Sequence, residues 1–358
     1  MIFHVITNFE EVGGAEATLI KLLNSYKTSS VMVFSMKSVS PGILNIITNQ
    51  NITYQSLNIS SFRSLTYGCF KFICALHKKK PTHIYSWMYH ANFFVSIAKI
   101  FSFQKAKVIW GVRHSLDDFQ GEKTSIKILV YLGRFLNFTT YKVIYCSYSS
   151  LKQHIKYRYS SKASSIFVPN GYNFAVFNYK KLRSNLVIGY AGRFHEAKDL
   201  STLFRTVNIL LSKGIPCRLK ICGRGITKDN ATLLRLIDNS GLSLNNITFL
   251  GEVADMSSFY SSLDIFILSS KTEGFPNVLV EAIGESKPVF STDVGDAKTI
   301  INNSNHICPV GNADMLASNI IKFIDTPEDN RYSAVKNMHE HVSDSYSMTN
   351  FIGIYRNI

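Results

Sequence analysis

The chain has 358 residues, 46% of them hydrophobic and 18% charged. That is enough apolar material for two domains with full cores, and it excludes a disordered or low-complexity chain. The net charge of +15 is unevenly placed: residues 1–162 hold 20 basic and 6 acidic side chains, a net +14, and residues 163–358 hold 19 and 18, a net +1. A basic half implies an anionic partner, which can be nucleic acid, an anionic membrane surface or a phosphorylated substrate. The bland alternative is charge kept for solubility alone.

In chain order, Ile2–Asn8 reads as a buried strand, and the loop Phe9–Glu16 leads into a helical pattern through Leu19, Leu22 and Leu23. Further strand-like runs are Ser30–Phe34, His83–Trp87, Lys107–Gly111 and Lys142–Cys146, with helices predicted over Phe62–His77 and Ser125–Phe138. The turn cluster Pro169-Asn170-Gly171 marks a domain boundary. A second series of strands follows at Leu186–Tyr190, Arg218–Cys222, Ile247–Leu250, Ile265–Leu268 and Pro288–Ser291, with helices at Leu200–Leu211 and Ala231–Asn239. Strand alternating with helix predicts an α/β chain of parallel sheets with covered faces. The spans are 1–168 for the first domain, 169–180 for a linker, 181–344 for the second, and 345–358 for a C-terminal helix packing back toward the first.

Six cysteines, Cys69, Cys74, Cys146, Cys217, Cys222 and Cys308, show neither a CxxC pair nor metal-ligand spacing. They read as core thiols of a reducing compartment. Met1–Ile6 runs straight into a strand without the pattern of a secretion signal. No uncharged apolar run reaches the roughly 18 residues of a spanning helix; the longest, Phe93–Phe101, is broken by Lys99.

The strongest chemical signal is Glu273-Gly274-Phe275-Pro276-Asn277-Val278 with Glu281 beyond it. It follows the apolar strand Ile265–Leu268, at the carboxyl end where open α/β sheets bind ligands. Asn277 is expected to cap the next helix, whose free N–H groups can hold phosphate. Two carboxylates eight residues apart can each take hydroxyls of a different sugar. A second signal, Gly192-Arg193 with Lys198, follows the strand Leu186–Tyr190 and offers two cations to a diphosphate. Gly13 and Gly14 follow the first strand and free backbone N–H groups for a ligand, without a full G-x-G-x-x-G. His90 and His114 are expected at the ends of strand-like runs, from which either could reach a ligand.

Glu273 to Glu281 resembles the E-x7-E motif of the family 4 glycosyltransferases. Gly13-Gly14-Ala15-Glu16 resembles that family's glycine loop, Pro169-Asn170-Gly171 its interdomain segment, and Arg193 with Lys198 its phosphate-binding pair. Ile221–Gly225, with Gly223, and Phe249–Val253 resemble its nucleotide-side loops. The resemblance implies a GT-B fold, two Rossmann-like domains facing a central cleft, and sugar transfer from a nucleotide donor with retention, without a metal or cofactor. It implies that Glu281 holds the ribose, Glu273 the donor sugar, and Arg193 and Lys198 the leaving diphosphate. Gly13, Gly14, Gly223, Val253 and Gly274 to Val278 then line the donor. His114 is expected on the acceptor side, with His90 as its competitor. Within the family, Trp87–Asn92, Arg113-His114-Ser115 and Glu273–Asn277 look most like bacterial enzymes of O-antigen or capsule synthesis. That implies a UDP-hexose or UDP-N-acetylhexosamine donor, a polyprenyl-diphosphate-linked saccharide acceptor, and a cytoplasmic enzyme peripheral on the inner face of the membrane. Nucleic acid is not expected, because no RNA-binding motif accompanies the charge. A GT-B phosphorylase or epimerase remains the other reading.

Overall fold

The predicted strands are short and apolar on both sides, which suits sheets sandwiched between helices. The structure, a computed structural model, describes residues 1–26, 30–116 and 119–358. It forms two units, Met1–Gly171 with Phe351–Ile358, and Tyr172–Asn350.

The first unit runs β1 (Ile2–Ile6), α1 (Gly14–Ser25), β2 (Val31–Ser35), α2 (Pro41–Ile46), β3 (Ile52–Ser56), α3 (Phe62–Lys79), β4 (His83–Trp87), α4 (Met88–Ser102), β5 (Lys107–Val112), α5 (Thr124–Leu136), β6 (Lys142–Tyr145), α6 (Tyr148–Lys156) and β7 (Ser165–Phe167). Its strands form one parallel sheet in the order β3-β2-β1-β4-β5-β6-β7. The chain therefore builds outward from β1 to β3, then crosses back to β4. With right-handed crossovers, α3, α4 and α5 share one face of the sheet. Phe72, Leu76, Phe94, Val95, Ala98 and Val130 from these helices bury against Phe3, Val5, Val108 and Trp110 of the strands. The reversal between β1 and β4 is a topological switch point, where the loops at the strands' carboxyl ends part and leave a crevice.

The second unit repeats the design with β8 (Leu186–Ala191), α7 (Leu200–Ser212), β9 (Cys217–Cys222), α8 (Ala231–Asn239), β10 (Ile247–Phe249), α9 (Met256–Ser261), β11 (Ile265–Leu268), α10 (Asn277–Gly284), β12 (Val289–Thr292), α11 (Ala297–Ile301), β13 (Ile307–Cys308), α12 (Ala313–Asp325) and α13 (Glu328–Tyr346). The parallel order is β10-β9-β8-β11-β12-β13, so its switch point lies between β8 and β11. A last helix, α14 (Met348–Asn357), ends the chain. Its Tyr355 ring stacks on Trp87 and its carbonyl accepts from the Tyr85 hydroxyl, within the first unit.

Three expectations need correction. The strand ending in Trp87 stops there, and His90 sits in the first turn of α4 rather than at a strand end. The cap of α10 is Pro276, and Asn277 is its first helical residue; the Asn277 side chain instead accepts from the Tyr172 hydroxyl. Cys74 is exposed and Cys69 half-buried, so only Cys146, Cys217, Cys222 and Cys308 are core thiols. No helix among the described residues is long and apolar enough to cross a membrane.

Candidate active site

In the second unit, the loops after β8 and β11 flank the switch point, and these are the loops that carry Arg193, Lys198 and Glu273. Three backbone bonds knit the neighbouring loops: Gly192 donates to Cys222 O at 2.9 Å, Phe194 to Arg224 O at 2.7 Å, and Gly223 to Gly251 O at 2.7 Å. Gly223 holds φ +135, and a Cβ there would lie 2.1 Å from Gly192 O, so only glycine allows this contact. On the other side, Lys271 donates to Ala197 O at 2.8 Å, and the Ser269 hydroxyl donates to Lys198 O at 3.0 Å. The Glu273 loop is thereby fixed against the Lys198 turn.

That fixing brings Lys198 Nζ to 2.5 Å from Glu273 Oε1, with side chains 21% and 13% exposed. Ser270 also donates to Oε1, at 2.7 Å. Arg193 is exposed and makes no ion pair among the described residues. The site thus holds a paired carboxylate, and the loop that supplies its partner also presents an exposed cation. Tyr190, on β8, carries a buried hydroxyl with no hydrogen-bond partner among the described residues. Burial, and then the charge of Glu273, holds its pKa above the usual phenol range.

Glu281 lies one turn into α10, where its Oε2 accepts from the Tyr260 hydroxyl at 2.8 Å. It lines a cavity of about 160 Å³ with Tyr172, Phe174, Tyr260 and Glu285. The Tyr260 phenol is pushed up by burial first and by the Glu281 charge second. Phe275 turns its ring inward against Tyr346 at 5.4 Å and is buried, so what it can offer a ligand is backbone. Gly274 accepts from Asp296 N at 3.2 Å, and Gly295 at φ +51 packs so closely that a Cβ would meet Gly274 O at 2.3 Å. Pro276 is buried, while Gly274, Asn277, Val278, Gly223 and Val253 are half-buried around the carboxyl edge.

In the first unit, Gly13 caps α1 and Gly14 opens it. The expected free N–H groups are partly engaged: those of Gly13 and Glu16 hold the Glu16 carboxyl, countering the burial that raises its pKa. His114, two residues past β5, lies 2.6 Å from Glu122 Oε1. His90 is exposed, its pKa lowered by partial desolvation and then by the Lys37 ammonium. The two histidines therefore differ: His114 has a carboxylate partner and His90 a cationic neighbour. Lys37, Glu10, Ser38, Asn58, Ser60 and Ser61 line an open cavity of about 790 Å³. Its mixture of hydroxyl, amide and charged groups suits a saccharide.

Sequence reasoning missed Tyr260, Ser270, Tyr172 and Tyr190. Ser270 stands directly before the Glu273 loop and could have been read from that position. The tyrosines reach the site from other elements, and nothing in their local sequence marks them. Arg113 was also underweighted. Its guanidinium donates to the Asn170 side chain and to the Tyr355 hydroxyl, the latter at 3.1 Å, and it faces the Trp87 ring at 5.3 Å. Among the described residues, no group of three or more His, Cys, Asp or Glu could hold a metal ion.

Residues 185–326 match the family described as Glycosyl transferases group 1. The chain is 28% identical over 299 residues to the capsular polysaccharide biosynthesis glycosyltransferase CapM of Staphylococcus aureus, covering 77% of this chain and 76% of CapM. It is 34% identical over 106 residues to the lipopolysaccharide core biosynthesis glycosyltransferase LpsE of Rhizobium meliloti, covering 30% and 29%. Among solved structures it resembles Anabaena HepE in complex with UDP and glucose, at TM-score 0.81 and 18% identity over 100% of this chain and 98% of HepE. It also resembles the lipopolysaccharide outer core galactosyltransferase WaaB, at TM-score 0.76 and 18% identity over 100% and 99%. The chain therefore carries a glycosyl transferases group 1 domain and has the GT-B fold of glycosyltransferases.

Proposed function

We propose that the chain is a retaining, metal-independent glycosyltransferase of bacterial capsule or lipopolysaccharide synthesis. It moves a hexose or N-acetylhexosamine from a UDP donor to a saccharide on a polyprenyl diphosphate, working peripherally at the inner face of the cytoplasmic membrane. The observation that carries this reading is the Lys198–Glu273 pair at a switch point, with Arg193 exposed earlier in the loop that carries Lys198. The capsular and lipopolysaccharide relatives support the pathway class, and the UDP bound to HepE supports the donor class.

Departure of a nucleoside diphosphate develops negative charge on its leaving oxygen. Arg193 and Lys198 are fixed cations at the place where that charge appears, and they stabilise it without solvent reorganisation. Glu273 then exchanges Lys198 for the hydroxyls of the donor sugar. Glu281, braced by Tyr260, takes the ribose hydroxyls, and the backbone around Gly274 to Val278 and Gly223 to Val253 lines the nucleotide. His114 serves the acceptor side. Its Glu122 partner orients the imidazole, an arrangement His90 lacks.

A panel of nucleotide sugars, read by thermal shift and by slow donor hydrolysis, tests the reading. A UDP-hexose or UDP-N-acetylhexosamine should raise the melting temperature and release UDP. If no nucleotide sugar binds, the proposal fails. Release of sugar phosphate on adding inorganic phosphate would make the chain a phosphorylase, and interconversion of donor epimers would make it an epimerase.

A further inference from the structure

Helix α5 breaks the usual rule for a surface helix, which is apolar inward and polar outward. Its inner side is apolar as expected: Val130 and Gly133 are buried, and Ile126, Leu129 and Leu136 pack on the core. Its outer side is apolar too. Ile128, Tyr131 and Phe135, at helical spacing, are 52%, 51% and 69% exposed, and Phe138 in the following turn is 73% exposed. The end of α4 adjoins that turn: Lys99 Nζ donates to Thr139 O, and the Thr139 hydroxyl to the Ser96 hydroxyl, each at 3.0 Å. This end adds two more bare rings, Phe101 and Phe103. Phe103 is 91% exposed and holds φ +53, a left-handed cap position that ordinarily takes glycine or asparagine. A phenylalanine there serves neither the core nor the backbone.

The charge along this apolar face is positive, and Glu122 just ahead of α5 is the acid nearest to it in sequence. No Asp or Glu occurs from residue 123 to residue 195, nor from 17 to 116. Lys123 caps α5, Lys127 and Arg134 lie along it, and Lys107 stands over the ring of Tyr141 at 4.4 Å just beyond. A second copy of the chain on this face would set these cations against their own kind, and juxtaposed like charges disfavour such a contact. A sheet of anionic headgroups complements them, and exposed aromatics suit the interface between headgroup and acyl chain.

We propose that the outer face of α5, with Phe138 and the end of α4, docks on an anionic bilayer, with α5 lying in the membrane plane and its rings entering the interface. The proposal deepens the membrane part of the function above and rests on that reading. It adds which surface does the docking, and that apolar side chains as well as charge hold it. Because α5 begins just after Glu122, the contact leads to the His114–Glu122 pair, on the side proposed for the lipid-linked acceptor.

The test is sedimentation with phosphatidylcholine vesicles, with and without phosphatidylglycerol, at low and high salt. The wild type should bind the phosphatidylglycerol vesicles at low salt and lose most of that binding at high salt. The triple variant Phe103→Asn, Phe135→Ser, Phe138→Ser should lose about tenfold or more of it at low salt, and so should Lys127→Glu, Arg134→Glu. Both variants should keep the wild-type melting curve and donor hydrolysis in solution. Vesicle binding unchanged in the folded triple variant overturns the proposal. So does a concentration-dependent dimer that these variants abolish while wild-type protein ignores vesicles. If the surface binds vesicles but no nucleotide sugar is hydrolysed, the transferase reading fails and the docking surface stands.

Discussion

The Lys198–Glu273 pair makes a quantitative prediction. Each charge is mostly removed from water, and the two approach to 2.5 Å. Replacing Lys198 with Met leaves Glu273 with the Ser270 hydroxyl as its remaining hydrogen-bond partner among the described residues. Losing one partner of a fully buried pair costs about 3–5 kcal/mol, whereas an exposed pair is worth about 0.2–1 kcal/mol. With exposures of 21% and 13%, this pair falls between those limits. A coupling energy of about 1–3 kcal/mol is therefore expected from a double-mutant cycle of Lys198→Met and Glu273→Gln. The assay is chemical denaturation of the four proteins, following the transition of the second unit. The double variant should be more stable than the sum of the single losses allows. Saturating UDP-sugar should shrink the coupling, because the diphosphate then shares the Lys198 charge. Single effects that add to within about 0.5 kcal/mol would refute the reasoning.

Three further outcomes are expected. Arg193→Ala should cut donor turnover by about 10²–10³-fold, as loss of about 3–4 kcal/mol of transition-state charge stabilisation, with the fold intact because Arg193 is exposed; near-normal turnover sinks its role. Glu281→Gln should weaken calorimetric binding of UDP itself, whereas Glu273→Gln should leave UDP binding nearly intact and cut transfer severely; the reverse pattern would exchange the two roles. Burial lowers the pKa of both His4 and His154 to about 3, so each stays neutral in the fold and binds a proton more readily once unfolded. Stability of the first unit is then fully present above the unfolded histidine pKa and is lost as pH falls toward the folded values, by about 2 kcal/mol per histidine near pH 5. Melting temperatures that do not change from pH 7 to pH 5 would rule this out.

Much of this fold is legible because the central parallel strands are apolar runs bounded by turn residues. His83–Trp87, Ile265–Leu268 and the helix Ala231–Asn239 fall on the predicted bounds. The elements that escaped are short or lack a clear period. β3, with Thr53, Tyr54 and Gln55, is an edge strand whose polar residues are tolerated because only one neighbour pairs with it. α13 is strongly polar and buries only Val335, Met338, His339, Val342 and Tyr346, too sparse a set to announce a helix. His90 misled for a related reason. Trp87-Met88-Tyr89-His90 reads as continuous strand, yet the chain turns into α4 at Met88, which takes φ +71, and no local residue announces it. Gly13 was correctly placed on the turn before α1, but the carboxyl of Glu16 that answers its N–H is three residues on and needs the folded turn to be seen.

The cationic loop and the carboxylate loop are joined by the topology, and that explains why two motifs 75 residues apart act as one. β8 and β11 are sequence-distant but paired, and the crossover between them makes their carboxyl ends the place where helices leave in opposite directions. In the proposed reaction, the anomeric carbon is one bond from the leaving phosphate oxygen. A group that holds the sugar must therefore sit beside the groups that hold the diphosphate. An acid and a base placed that close satisfy each other when no donor is bound, which keeps both charges oriented in a half-buried site and spares the loop an unpaired carboxylate. Glu196 and Asp199 make the two loops neutral in sum, but Arg193 is exposed and outside any ion pair among the described residues, so it is the cation left open to an anionic ligand. In the proposed reaction the phosphates of the donor take Lys198, and Glu273 is released toward the sugar in the same event.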